Sequence, residues 1–451
     1  MTAWLEGWRA EWVGLRQQAR IRGPVWVGWQ LALSLFAVWA IGSVLFGIGG
    51  WALRSADWSV IAANLRLFSV GRYPAAEIWR PAIVLTLVTA VAGWEAGRAG
   101  RTALARFLGA ALVLMLALPL LAPGVSALAA SLVEGAANAA VGGAAGSPAA
   151  DGAAETWVGL ASLAETFASF SSGRPVVLVA LATLAGAWFL GRRAAAWAAA
   201  DRLRVRRLDR YTGWAYVLLV PAALLLLRGV GGLAPVSSSD WGGLLLTLIL
   251  AAFAIALSFP LGVLLALGRR SSLPLVRLVC IGWIELIRGV PLVTVLYMAS
   301  LLLPLIIPEG WNPDNVAKAI AGLTAFASAY VAEDVRGGLA AVDPGQYAAA
   351  KAVGLGTVGT YRLIILPQAI RAVIPAIAGQ FISLFKDTAL VLIISLRELL
   401  GIAIVAANQP AYIGRFRETL AFIAIIYFAF SAVLSRASRR LEAPLSERER
   451  D

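Results

Sequence analysis

Histidine is absent from this 451-residue chain, and cysteine occurs only once, at Cys280. A disulfide between two cysteines of this sequence is therefore impossible, and a metal site built from histidine and cysteine is excluded. The same shortages count against an enzyme that uses a histidine base or a cysteine nucleophile. A membrane-embedded protease or lipid transferase is for this reason disfavoured.

Charged residues are also scarce, at 14% of the chain, whereas soluble domains carry about 25%. Hydrophobic residues make up 60% and the mean hydropathy is +0.80, so we expect an all-α polytopic membrane protein. The formal net charge of +13 is typical of basic cytoplasmic loops in such a protein, and it favours that interpretation over nucleic-acid binding.

Long apolar runs predict ten membrane spans with both termini in the cytoplasm. The first run is too long for the apolar region of a signal peptide and lacks an A-x-A cleavage site, so we expect a span there. The predicted spans are about 25–51, 81–97, 107–132, 176–191, 214–233, 242–267, 275–304, 316–335, 366–385 and 419–434.

These spans divide the chain into an N-terminal extension of about five spans, residues 25–234, and a five-span core domain, residues 240–440. The extension contains an external insert rich in alanine, glycine and serine at 135–174. Residues 1–24 alternate arginine and tryptophan, which favours an amphipathic helix on the inner membrane surface, with a solvated tail as the alternative. Residues 441–451 are expected to form a cytoplasmic tail.

Two segments fit this topology less simply. Residues 393–417 are apolar at first and then irregular, which suggests a re-entrant or interfacial helix on the outer side. The loop 52–80 is predicted to lie outside although it is basic, which the charge rule leaves unexplained. Its arginines are Arg54, Arg66, Arg72 and Arg80.

The cytoplasmic stretch 343–368, between the eighth and ninth spans, has the signals of a short helix. The segment Asp343–Gln346 fits a capping box with proline at the first helical position. Ala348–Ala350 favour a helix with little side-chain bulk, and Gly354 and Gly356 are expected to end it in the left-handed conformation. A short capped helix at a membrane surface suits a groove on another protein.

No phosphate-binding loop of the form G-x-x-x-x-G-K-[ST] occurs in the sequence, so the chain lacks an ATP site of that kind. Residues 354–359 do spell G-x-G-x-x-G, which binds dinucleotides when it follows a strand in a βαβ unit. Here the pattern follows a predicted helix, so we interpret these glycines as helix stops.

The same stretch resembles the EAA loop of ABC-importer permeases. The family pattern is EAA, three residues, glycine, nine residues, isoleucine, one residue and Leu-Pro. The corresponding residues are Ala348, Ala349, Ala350, Gly354, Ile364, Leu366 and Pro367. The spacing agrees throughout, and the departure is Ala348, where the family usually has glutamate. Docking would then depend on backbone shape and alanine packing instead of that charge.

Further segments resemble histidine- and glutamine-type permeases for polar amino acids and cover nearly all of residues 240–440. They are GLLLTL at 243–248, ELIRGVPL at 285–292, AEDVRGGL at 332–339, LPQAIR at 366–371 and FKDTAL at 385–390. The N-terminal part, with LFSVGRYP at 67–74, is similar to the extended permeases of general L-amino-acid uptake systems.

This resemblance implies a type I ABC importer transmembrane domain in the bacterial inner membrane, coupled to its energy source through the loop 343–367. It implies a second permease subunit, two ABC ATPase subunits and a periplasmic amino-acid-binding protein. The partner ATPases would use ATP and Mg²⁺, and we expect this chain to bind no cofactor and no nucleic acid.

Ionisable residues at membrane depth are costly, which makes them candidates for the translocation path. Glu285 and Arg288 lie on one helical face and are placed to pair. The other charged candidates end the eighth and ninth spans, where the alternative is ordinary interfacial residues or ion pairs. A zwitterionic amino acid needs an anchor of each sign, which both span ends offer. The candidates are Glu285, Arg288, Pro291, Glu333, Arg336, Lys386, Asp387 and Thr388.

An ion-coupled secondary transporter of similar substrates is the alternative function. It predicts carboxylates deep within spans, whereas most of those here lie near span ends. It also predicts uptake driven by an ion gradient without ATP.

Overall fold

The computed structural model describes residues 24–98, 174–198, 222–308 and 313–447, and every regular element in these ranges is helical. They belong to two compact units, the first with residues 24–58 and the second with the remainder. Residues 1–23, the predicted span 107–132 and the insert up to residue 173 lie outside the described ranges. The α-helices are α1 (Pro24–Arg54), α2 (Ser59–Val70), α3 (Trp79–Arg98), α4 (Arg174–Ala198), α5 (Gly243–Arg269), α6 (Pro274–Arg288), α7 (Leu292–Ile306), α8 (Asn315–Ala341), α9 (Pro344–Ala352), α10 (Thr357–Thr360), α11 (Leu366–Asp387), α12 (Leu399–Ala407) and α13 (Phe416–Glu447).

Four stretches of the described ranges are long and apolar enough to cross a membrane, and each coincides with a predicted span. They are Trp29–Arg54, Gly243–Arg269, Thr357–Ile394 and Phe416–Arg436. Helices α3, α4 and α8 occupy three further predicted spans. Of the predicted span 214–233, residues 222–228 are helical and residues up to 221 lie outside the described part.

The prediction of one continuous span at 275–304 is wrong. Helices α6 and α7 occupy this segment, and they are bent by 116° relative to each other. Pro291 has no N–H to donate, and a residue before proline avoids the helical conformation, so the helix ends at Arg288 and restarts at Leu292. The pair counts as a fifth span only when its two halves are taken together.

Helix α8 is the centre of the second unit and packs against α5, α6, α7 and α11. Small residues allow these close approaches. A Cβ at Gly262 of α5 would lie 2.7 Å from the Val331 side chain, and one at Gly338 of α8 would lie 2.3 Å from the Ala369 carbonyl oxygen of α11. The α8 surface is buried along nearly its whole length.

The basic character of loop 52–80 is explained in part by the contacts that Arg80 makes within the fold. The loop packs against residues 227–236. Arg80 is only 1% exposed. Its Nη1 donates to the Ala234 carbonyl oxygen at 2.8 Å, and its Nη2 lies 2.7 Å from Glu77 Oε2. The Tyr73 hydroxyl donates to the Leu227 carbonyl oxygen at 2.8 Å. Arg80 is therefore a buried link within the fold, which the charge rule does not consider.

The segment predicted as re-entrant or interfacial contains α12, nine residues long and anchored by a buried carboxylate. Glu398 Oε1 accepts the N–H groups of Leu400 and Gly401 at 2.7 and 3.2 Å, which caps the helix. Glu398 Oε2 accepts the hydroxyls of Thr247 at 3.2 Å and Tyr427 at 2.6 Å. Because both oxygens are bonded, this fully buried side chain joins α5, α12 and α13.

We predict that Tyr427→Phe destabilises the protein by about 1–3 kcal/mol, since it leaves a buried Glu398 oxygen short of one donor. The ring of Phe preserves the edge-to-face contact that Tyr427 makes with Phe385 at 5.5 Å. The measurement is the thermal unfolding midpoint of the purified protein.

Tyr412→Phe is the matched control, because no hydrogen bond of its partly buried hydroxyl occurs within the described residues. Equal midpoints for the two variants would contradict the anchoring role of Glu398.

Candidate functional site

Helix α9 follows α8 directly and is capped as predicted. The Asp343 side chain accepts the Gly345 N–H, and Pro344 occupies the first helical position. The reciprocal half of the predicted capping box is absent. Gln346 Oε1 instead accepts a hydrogen bond from Gln368 Nε2 at 3.2 Å, because the start of α11 lies beside the start of α9. Gln346 therefore joins two helices that the sequence separates.

The predicted left-handed stop is correct at Gly354 and wrong at Gly356. Gly354 has φ +79°, and the N–H of Leu355 bonds back to the Ala350 carbonyl oxygen at 3.0 Å, as expected of a C-terminal cap. Gly356 has φ −70° and begins α10. A Cβ at either glycine would meet nothing within 4 Å, so the two positions differ in backbone conformation and not in available space.

The residues of the predicted docking pattern divide into an exposed and a packed set. Ala348 and Ala349 are exposed, whereas Ala350 is fully buried. Ile364 and Leu366 pack against the core cluster formed by α5, α8 and α11, and Pro367 is exposed. The alanine face of α9 thus lies at the surface, while the residues after α10 hold it to the core.

Three large apolar side chains project from the same segment. Val353, Val358 and Leu363 are 74%, 78% and 65% exposed. They follow α9 and precede α11, and the sequence pattern does not include them. Together with Ala348 and Ala349, they make an apolar surface at the end of α8, which we call the α9 surface.

Aromatic and cationic contacts fix the α9 surface on the helices beneath it. The Tyr347 and Tyr361 rings meet edge to face at 6.0 Å. Arg270, just after α5, places its Nη1 3.4 Å from the Leu339 carbonyl oxygen and 3.5 Å from the Tyr347 hydroxyl. These contacts join α9 to the ends of α5 and α8.

The candidates near this end form one ion cluster around Glu333. Its carboxylate is paired with Arg336 at 2.5 Å, Arg269 at 3.5 Å and Arg288 at 3.7 Å. The expected pair of Glu285 with Arg288 is wrong, since Glu285 lies 3.1 Å from Arg269. The bend after Arg288 turns that residue toward α8, where its guanidinium also lies over the Tyr330 ring at 5.5 Å.

Lys386, Asp387 and Thr388 lie at the other end of α11 and are not brought to this cluster. The Thr388 hydroxyl is buried and donates to the Phe385 carbonyl oxygen at 2.7 Å. Lys386 is exposed and Asp387 half-buried, and no salt bridge joins them within the described part of the chain.

The contacts of Arg269 and Arg270 were not predicted from the sequence. Their partners lie 16 to 77 residues away in the chain. No local pattern carries that information. Pro291, a candidate residue of the translocation path, lies at the bend and is the N-cap residue of α7.

Residues 258–446 match the family described as binding-protein-dependent transport system inner membrane component. The chain is 47% identical over 229 residues to the inner membrane amino-acid ABC transporter permease protein YhdY of Escherichia coli, an alignment that covers 51% of this chain and 62% of that protein. It is 47% identical over 214 residues to the glutamate/glutamine/aspartate/asparagine transport system permease protein BztC of Rhodobacter capsulatus, with 47% of this chain and 49% of that protein covered.

A third relative is matched over most of its length. The probable glutamine ABC transporter permease protein GlnP of Bacillus subtilis is 38% identical over 202 residues, which cover 45% of this chain and 91% of that protein. The chain therefore spans less than two thirds of the first two relatives and nearly all of the third.

We predict that Glu333→Gln weakens the ion cluster more than Glu285→Gln does. Glu333 neutralises guanidinium groups from α5, α6 and α8, whereas Glu285 has a single partner and a side chain 57% exposed. An exposed pair is worth less than about 1 kcal/mol, so Glu285→Gln is expected to change the thermal midpoint little and Glu333→Gln to lower it clearly. Equal midpoints would show that Glu333 does not organise the cluster.

Proposed function

Because the chain belongs to the family of binding-protein-dependent transport system inner membrane components, we propose that it is the permease subunit of an ATP-driven importer for polar or general L-amino acids. Amino-acid transport is named for the relatives it matches. The mechanism is alternating access, in which ATP hydrolysis in partner subunits is transmitted through residues 343–367.

The α9 surface is the observation that carries this proposal. It is a short capped helix with two exposed alanines, followed by exposed Val353 and Val358. An amphipathic helix of this kind suits a groove on another protein. The contacts of Arg270 and Tyr347 join it to α5 and α8, so a partner that moves α9 also acts on the helices of the core.

Two ABC ATPase subunits, a second permease subunit and a periplasmic amino-acid-binding protein complete the proposed assembly. The absence of a phosphate-binding loop from the sequence supports an ATP site on a partner. The proposed contact between the α9 surface and an ATPase also sets the orientation of the chain in the membrane. If the α9 surface meets a cytoplasmic ATPase, then Asp314 at the start of α8 faces outward, and both termini are proposed to lie on the cytoplasmic side of the inner membrane.

The candidate path residues take different places in this scheme. The Glu333 cluster lies near the cytoplasmic ends of α5, α6 and α8, where it would respond to movements of α9. Lys386, Asp387 and Thr388 lie at the outer end of α11, where a cation and an anion are available to an incoming amino acid. We propose residues 240–440 as the translocating core and residues 25–234 as an extension beside it.

We predict that Gly354→Val abolishes ATP hydrolysis stimulated by the binding protein. A β-branched residue is strained at φ +79°, so the turn after α9 is expected to change while the core helices stay folded. Gly356→Val is the matched control, because its φ of −70° suits any residue and its Cβ also meets open space. Unaltered hydrolysis in Gly354→Val would remove the coupling role of this turn.

Purification from the native membrane tests the assembly itself. An ABC ATPase is expected to accompany the chain, and vesicles containing the complex are expected to take up amino acids when ATP is supplied. If no ATPase accompanies the chain and an ion gradient alone drives uptake, then the protein is a secondary transporter and the proposal fails.

A further inference from the structure

A polar cavity of about 320 Å³ opens at the end of the second unit opposite the α9 surface. Its walls come from the loop after α2, the segments that precede α5 and α8, and the turn before α12. The size is within the range of about 300–1,000 Å³ found for small-molecule sites. Charged and polar residues on these walls include Arg72, Arg397, Asp314, Trp241, Ser237 and Ser239.

Two guanidinium groups of the cavity have no anionic partner among the residues that the structure describes. Arg72 and Arg397 are exposed, and neither is in a salt bridge with any residue that the structure describes. The backbone beside Arg72 is fixed, since Gly71 forms an antiparallel β-bridge with Trp241. These cations come from distant parts of the chain, so the fold and not a local charge run brings them to one cavity.

The anion of the cavity, Asp314, is already ordered. One of its oxygens accepts the Ser238 hydroxyl at 2.7 Å and pairs with Arg228, and the other accepts the Ala317 N–H at 2.8 Å. Burial raises the pKa of Asp314, but these hydrogen bonds and the Arg228 charge outweigh it and hold the pKa below its usual value. A carboxylate offers about four acceptor positions, so Oδ1 has room for one further donor.

Trp241 also lines the cavity, but its side chain is only 4% exposed and its Nε1 is buried. The indole therefore packs beneath the cavity, and the charged groups are the ones that a bound molecule would contact.

We propose that this cavity binds an acidic α-amino acid, whose two carboxylates pair with Arg72 and Arg397 while its ammonium group bonds to Asp314. Two free cations and one available carboxylate oxygen match the charges of such a ligand, whereas a neutral amino acid leaves one guanidinium unpaired. That the cavity faces outward rests on the proposed function, but the binding itself does not.

Equilibrium binding of radiolabelled L-glutamate to the purified full-length chain in lipid nanodiscs tests the proposal, with no nucleotide, ATPase or binding protein present. We expect saturable binding of one glutamate per chain, displaced by L-aspartate far better than by L-glutamine or L-lysine. Glutarate, which has both carboxylates but no ammonium group, is expected to compete more weakly than glutamate with the natural protein and equally well with Asp314→Asn.

Arg72→Ala and Arg397→Ala are each expected to weaken glutamate binding at least about tenfold, as expected for a lost charged hydrogen bond. Arg66→Ala is the matched control, because Arg66 is an exposed arginine close in sequence to Arg72 that does not line this cavity.

Three outcomes would overturn the proposal. The first is that the purified chain shows no saturable binding of glutamate. Binding that is lost in Lys386→Ala but kept in Arg72→Ala belongs to the proposed translocation path. An Arg72→Ala variant that binds glutamate normally but loses stimulation by the binding protein assigns Arg72 to a protein contact. The binding assay contains no ATP and no partner protein. An absence of glutamate binding would therefore overturn this proposal only, and co-purification with an ATPase would still test the proposed function.

Discussion

The close packing of α8 against four neighbouring helices is the constraint on which the rest of the core depends. Small residues on α8 and its neighbours, such as Gly262 and Gly338, let the backbones approach to distances that any side chain would prevent. One helix of 27 residues therefore runs from the cavity lined by Asp314 to the α9 surface. Asp314 lies just before its start, Glu333 on its last turns, and α9 begins directly after it.

Polar groups within this apolar framework are bonded to several helices at once. Glu398 accepts four hydrogen bonds from three elements, and Arg80 joins residues that are 154 apart in sequence. An unsatisfied polar group in an apolar surrounding costs several kcal/mol, so each such link fixes the relative positions of the segments it joins. In contrast, the Glu333 cluster is partly exposed, and its pairs are individually weak.

Some predictions made from local patterns are confirmed. Others are wrong because the residue bonds to a partner that is distant in the sequence. The cap at Asp343 and the left-handed turn at Gly354 follow from the preferences of neighbouring residues. Gln346 and Glu285 also had suitable local partners, but each bonds instead to a residue from another helix. The bend of 116° between α6 and α7 was not predicted, although proline is a residue that interrupts helices.

The sequence by itself determined that the protein is helical, apolar and membrane-spanning, and it located the segment that resembles a docking loop. These properties depend on composition and on spacing over a few turns, which are visible in any short window of the chain. Only the tertiary structure decided which cations meet at Glu333, why Arg80 is buried, and that Arg72 and Arg397 share a cavity with Trp241. Each of these facts joins residues that are far apart in the chain, and such contacts are set by how helices pack, which no local pattern records.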